Sequence, residues 1–174
     1  MSDAVHVVPY AATTEDGPAY WQVGILWVIL ATAEQTGGNY SLMWELCPKG
    51  SGPPPHYHDQ DEQFFLIDGE ITFRAGNQEL KVGSGSFVLI PRGTVHYFRV
   101  DSDTATILNS YTPGGFERSI MELGEPAPTR TMPPPDHQPA SPPSAEEITK
   151  LFDEIGMHLV DEPDLLRSTP STYP

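Results

Sequence analysis

At 174 residues the chain has room for one domain with a hydrophobic core and one extension, and not for two full domains. With 38% hydrophobic and 10% aromatic residues it can fold, while 19 prolines and 15 glycines are too many for a helical bundle and suit turns between short strands. A formal charge of −15 with nine Lys and Arg argues against nucleic acid and anionic membrane surfaces, and the single cysteine, Cys47, excludes an internal disulfide framework and a Cys-rich zinc site.

Residues 1–20 mix polar residues, Pro and Gly without periodicity and are expected to form an arm over the domain or a partner subunit. The start, Met1-Ser2-Asp3-Ala4, lacks the positive region of a signal peptide, so a cytoplasmic location is expected. The apolar stretch from Trp21 to Ala33 is shorter than the ~20 residues that cross a bilayer and reads as core. Two strands, over 23–32 and 39–47, flank the turn-forming Glu34-Gln35-Thr36-Gly37-Gly38 and should be antiparallel neighbours, with Cys47 buried on the second.

Pro53-Pro54-Pro55 cannot donate to a sheet ladder, so a rigid loop should end at His56. Short strands follow over 63–67, 70–75, 78–82, 86–90, 96–100 and 105–110. Turns such as Asp68-Gly69, Gly83-Ser84-Gly85 and Pro91-Arg92-Gly93 separate them, and this spacing indicates a sandwich or barrel. Beyond Tyr111, residues 116–123 suggest a short helix ending at Gly124, and 125–143 a proline-rich extended linker. Ser144-Ala145-Glu146-Glu147 is a capping box, and Ile148, Leu151, Phe152 and Ile155 give the apolar face of a three-turn helix stopping near Gly156. So short a helix must dock that face. Residues 161–174 read as a loose tail. The expected organisation is an arm (1–20), a barrel (21–112), a short helix with linker (113–143), and a helix with tail (144–174).

The chemistry concentrates in two segments. His56 and His58 lie two apart on an extended strand and project on one face, while Glu62, four residues on, joins them if the strand continues or bends. A Pro91-Arg92-Gly93 turn delivers His96 at the start of a later strand. Three imidazoles and one carboxylate form a mixed nitrogen and oxygen set that suits one divalent iron, nickel, manganese, cobalt, copper or zinc ion per chain.

Gly50, His56, His58, Glu62 and Gly69 meet every fixed position of the pattern G-x5-H-x-H-x3–4-E-x6-G. Gly85, Pro91, Gly93 and His96 meet G-x5-P-x-G-x2-H-x3-N, whose last position is Val100 here. The chain therefore resembles the cupin superfamily, and its layout is similar to small single-barrel quercetin 2,3-dioxygenase-like cupins. The resemblance implies an all-β jelly-roll barrel with the N-terminal arm and C-terminal amphipathic helix as additions, and a homodimer with those additions packed across the interface. It further implies His56, His58, Glu62 and His96 as metal ligands, Glu62 also as a base toward a substrate hydroxyl, and O2-dependent cleavage of a flavonol or related enolizable phenol. Two other readings keep the fold: a metal-dependent isomerase, cyclase or lyase without O2, and a non-catalytic small-molecule-binding cupin.

Barrel aromatics serve first as core. Those on the His56/His58 face are the candidates for lining a pocket for a flat aromatic substrate: Phe64 and Met43 foremost, then Phe73, Phe87 and Phe98. Arg92 is expected in a surface salt bridge, and His6, His137 and His158 in solvent.

Overall fold

The structure, a computed structural model, describes residues 7–160; His6, the first residues of the arm and the 161–174 tail lie outside the described residues. The elements in chain order are β1 (Ala19–Gln22), β2 (Ile25–Ala31), β3 (Ser41–Pro48), β4 (His56–His58), β5 (Asp61–Asp68), β6 (Glu70–Ala75), β7 (Gln78–Gly83), β8 (Phe87–Ile90), β9 (His96–Val100), β10 (Thr104–Thr112), α1 (Glu117–Leu123), β11 (Glu125–Pro126), α2 (Ala145–Ile155) and β12 (Met157–Leu159). They form two antiparallel sheets, ordered β11-β1-β2-β3-β10-β5-β8 and β12-β4-β9-β6-β7. This is the jelly-roll barrel that the alternating strands imply.

Period-two alternation decides which side chains enter the barrel. On β3, Ser41, Met43, Glu45 and Cys47 are buried while Leu42, Trp44 and Leu46 are half-buried; on β10, Ala105, Ile107, Asn109 and Tyr111 take the buried positions. Strand β2 is covered on nearly its whole length because the preceding segment lies across it. Pro18 accepts the Ile29 N–H, Tyr10 Oη donates to the Leu30 carbonyl, and a Cβ on Gly17 would fall 2.6 Å from the Ile29 oxygen. Among the described residues no helix is long and apolar enough to cross a membrane.

Several elements differ from the sequence reading. The 23–32 strand is in fact the second half of a hairpin, because Val23 (φ 47°) and Gly24 (φ 80°) make a tight turn between β1 and β2 and leave Val23 81% exposed. Two successive positive φ values suit the twist of a two-residue hairpin, but Val-Gly lacks the usual Asn-Gly signal. Gly124 ends α1 in an extended conformation (φ −85°) and not a left-handed one; a Cβ there would lie 2.4 Å from the Ile120 oxygen. The proline-rich segment is tied to the sheet by β11 pairing with β1 and by Trp21 Nε1 donating to the Thr131 carbonyl at 2.7 Å. His137, expected in solvent, packs edge-on against Trp21 and meets Glu125 at 2.9 Å.

Helix α2 forms as the capping box dictates, with Leu151 and Ile155 buried and Gly156 in the left-handed conformation (φ 70°). That cap turns the chain into β12, which pairs with β4. His158 is consequently a strand residue, stacked on Tyr57 and 3.3 Å from Asp59, and not a solvent-facing residue at a helix end.

Candidate metal centre and its cavity

The loop before β4 runs tightly against β9, since a Cβ on Gly52 would sit 1.8 Å from the Phe98 oxygen. It sets His56 directly opposite His96 in the β4–β9 ladder. Alternation on β4 buries His56 and His58 and leaves Tyr57 on the other side. The strand does not continue to Glu62. Asp59 and Gln60 bend the chain from one sheet into the other, so Glu62 reaches the imidazoles from β5 on the facing wall. The Pro91-Arg92-Gly93 turn locks onto this bend: the Gly93 N–H donates to the His58 carbonyl at 2.8 Å, and Arg92 donates to Asp61 through its backbone, Nε and NH2. Arg92 thus has the salt-bridge role its turn position suggested.

One ligand-type atom from each of His56, His58, Glu62 and His96 falls within 4.8 Å of the other three, and all four residues are buried. Glu62 Oε2 is 2.8 Å from His96 Nε2 and 3.5 Å from His58 Nε2. His56 and His96 turn their Nδ1 atoms to the Pro54 and Thr94 carbonyls at 2.8 and 2.9 Å, which orients the Nε2 atoms inward. Both His58 nitrogens are buried without a hydrogen-bond partner.

Burial, reinforced by His96 and His58, holds His56 down at about 3; burial, against the pull of Glu62, holds His58 at about 4. Burial opposes charge on Glu62 as well, but the His96 hydrogen bond and the surrounding imidazoles outweigh it and hold the carboxyl at about 2. At neutral pH His56 and His58 offer lone pairs and Glu62 a negative charge. That is the state a divalent ion requires of its ligands, and the unsatisfied His58 ring is what such an ion would satisfy. Four buried residues could therefore hold a metal.

Residues outside both sequence motifs complete the centre. Asn109 Nδ2 (2.9 Å) and Tyr111 Oη (2.5 Å) both donate to Glu62 Oε1, leaving Oε2 to face the histidines. The alternation of β10 places both side chains inward, a signal present in the sequence but obscured by the 105–110 boundary, which stopped short of Tyr111. Glu45, a lone acid among apolar residues on β3, is a second one.

A cavity of about 240 Å³ opens beside the cluster. His56, Glu62 and His96 form one part of its lining, and Phe64, Phe98, Trp27 and Phe116 supply aromatic walls. Phe64 and Phe98 thus stand where the sequence expected pocket residues. Met43 and Phe73 do not line the cavity; both are buried in the core, where Phe73 packs behind Phe64 and Phe98 at ring distances of 4.9 and 5.5 Å. Phe87 is 62% exposed, because alternation on β8 sends Val88 and Ile90 inward. The helix α2 and strand β12 close one side through Phe152, Met157 and Leu159.

A family model for the cupin domain matches residues 42–110. Quercetin 2,3-dioxygenase of Bacillus subtilis is 31% identical over 120 residues, covering 68% of this chain and 36% of that protein. The chain spans between 36% and 53% of the length of the curated relatives it matches. Among solved structures, a predicted oxalate decarboxylase from Thermotoga maritima aligns with a TM-score of 0.56 at 13% identity, covering 60% of this chain and 99% of that one. The polyketide cyclase RemF from Streptomyces resistomycificus aligns with a TM-score of 0.54 at 18% identity, covering 60% and 80%. These structures share the fold.

Proposed function

The protein carries a cupin domain, and on that footing we propose that it is a metal-dependent dioxygenase that cleaves a flavonol or related enolizable phenol with O2. The observation that carries this reading is the juxtaposition of a buried three-histidine, one-glutamate cluster with a mostly apolar, aromatic-walled cavity. The relative with quercetin 2,3-dioxygenase activity in its name supports the same chemistry. At about 240 Å³ the cavity falls below the ~300–1,000 Å³ typical of ligand pockets, which favours the smaller phenols of this class.

We assign His56, His58, Glu62 and His96 as the ligands of one divalent ion, with iron, nickel, manganese or cobalt ahead of copper and zinc. A bound ion of this kind acidifies a substrate hydroxyl and polarises its oxygen. Glu62 is the base: a carboxylate held at about 2 takes a proton only from a hydroxyl already acidified, and its Oε2 is the oxygen not engaged by Tyr111 and Asn109. Phe64 and Phe98 hold the aromatic body of the substrate and keep water from the resulting anion, whose electron-rich ring supplies the electrons for reaction with O2. His56 and His96 are kept in the orientation that reaction needs by their Nδ1 bonds to backbone carbonyls.

The test is purification under anaerobic conditions with metal analysis, followed by oxygen-electrode assays on flavonols and smaller enolizable phenols. Stoichiometric oxygen uptake with ring-opened product supports the reading. Turnover without oxygen uptake replaces it with a lyase, isomerase or cyclase, and tight binding without turnover replaces it with a binding module. We further propose a cytoplasmic homodimer. Phe65, Ile67, Phe87 and Leu89 form an exposed apolar patch on the outer face of β5 and β8 that a second copy would cover, and light scattering would report the doubled mass.

A further inference from the structure

Within the cavity lining two polar side chains have an oxygen that nothing in the protein satisfies. Glu45 is 1% exposed and its Oε1 has no hydrogen-bond partner; Ser119, on α1, is 2% exposed and its Oγ is likewise unpartnered. The other Glu45 oxygen is engaged weakly by the Cys47 thiol at 3.6 Å. Burial pushes the Glu45 carboxyl well up from its ordinary range, with the Glu62 charge adding to the effect. A neutral carboxylic acid can donate as well as accept a hydrogen bond, whereas an unmet one in an apolar setting is costly and rare in native interiors.

The sheet register separates this group from the histidine cluster. Across the inner face, Trp27, Glu45, Ile107 and Leu66 share one row, and Ser41, Tyr111 and Glu62 share another. Glu45 and Ser41 are four residues apart on β3, roughly 14 Å along the strand at ~3.4 Å per residue. Helix α1, which carries Ser119, packs against β3. One cavity therefore offers a metal-type cluster in one part and a satisfiable acid and hydroxyl in another, with Phe64, Phe98 and Trp27 also in its wall.

We propose that Glu45, assisted by Ser119, recognises an oxygen-bearing group on the end of the ligand remote from the histidine cluster, so that the ligand is a flat, mostly apolar molecule with a hydroxyl or carbonyl at each end. This rests on the phenolic-substrate reading above and adds the second point of recognition. Ligands lacking the remote oxygen bind through the cluster end alone and leave Glu45 unmet. A cationic amine is not the partner, because a neutral acid gives it no countercharge.

The probes are 3-hydroxyflavone and its 4′-hydroxylated derivative, which differ by one remote hydroxyl, titrated anaerobically into the full-length, metal-loaded protein and followed by calorimetry. The wild type should prefer the hydroxylated probe by about tenfold, and Glu45→Met should reduce that preference to about one while changing the affinity for 3-hydroxyflavone by less than about threefold. A wild-type preference near one, or a preference that survives Glu45→Met, overturns the Glu45 assignment and leaves the phenolic reading standing. Failure of both probes to bind the wild type overturns both. Should Glu45→Met not fold by circular dichroism, Ser119→Ala carries the test: the preference should fall by about threefold, and an unchanged preference overturns the proposal.

Discussion

Tyr111 Oη donates to Glu62 Oε1 at 2.5 Å across the β10–β5 ladder, in which the two residues are direct register partners. The pairing fixes which carboxylate oxygen faces the histidines. Tyr111→Phe keeps the ring and its stack on Phe116 (centroids 4.0 Å apart) but frees Glu62 to rotate about its remaining Asn109 bond. We expect metal affinity to fall by about 10–100-fold, the usual cost of losing a group that orients a ligand. Competition against a chromophoric chelator measures it, and an unchanged affinity would show that Tyr111 does not orient Glu62.

His58 is the most exposed of the four to a clean test, since its two ring nitrogens make no hydrogen bond within the protein. His58→Ala therefore removes a candidate ligand without breaking another interaction of those nitrogens. Metal retained after dialysis should drop from about one ion per chain to a small fraction of that. Elemental emission analysis of wild type and variant side by side gives the answer; equal metal content would remove His58 from the ligand set.

Much of this centre is legible in sequence because its geometry is local. His56 and His58 share a face through strand alternation, and Pro91-Arg92-Gly93 sets the entry of His96. What stays hidden depends on contacts between distant strands. Whether Glu62 continues β4 or crosses to the facing sheet is decided by the Asp59-Gln60 bend, and Asn109 and Tyr111 acquire their role only when β10 lies beside β5. Phe87 failed as a pocket residue because a strand of four residues can start on either face, and the identity of Phe alone does not say which. β12 escaped because a three-residue strand after a helix has no periodicity to detect, and only pairing with β4 makes it one.

The pH dependence of the metal-free protein has a definite sign. His56 at about 3 and His58 at about 4 lie below the 6.5 of an unperturbed imidazole, so between pH 6.5 and those values the unfolded chain binds more protons than the folded one. Glu62 at about 2, below its ordinary 4.5, contributes stability above pH 4.5 that is lost as the pH falls toward 2. All three act together, and the urea midpoint should fall steadily from pH 7 to pH 4. Glu45 acts oppositely: its raised value means that the folded acid stays protonated where the unfolded one ionises, which subtracts stability above pH 4.5. Glu45→Met should accordingly raise the midpoint at pH 7 more than at pH 4. A midpoint independent of pH over this range would mean that the buried imidazoles do not remain neutral.

Ser144 sits far from the cluster in sequence, yet it bears on the cavity through α2. Its Oγ accepts the Glu147 N–H at 3.2 Å, and the Glu147 carboxylate accepts the Ser144 N–H at 2.8 Å. A helix of eleven residues is marginal without such help, and its ion pair from Arg118 to Glu154 is exposed enough to add little. Ser144→Ala should lower global stability by ~1 kcal/mol, seen as a fall in Tm of ~2–4 °C. Because α2 and β12 carry Phe152, Met157 and Leu159 into the cavity wall, the same change should speed amide exchange at β12 more than at β3. If β12 and β3 exchange with unchanged relative protection, the helix cap stabilises α2 alone and the cavity wall is held by the β4 ladder.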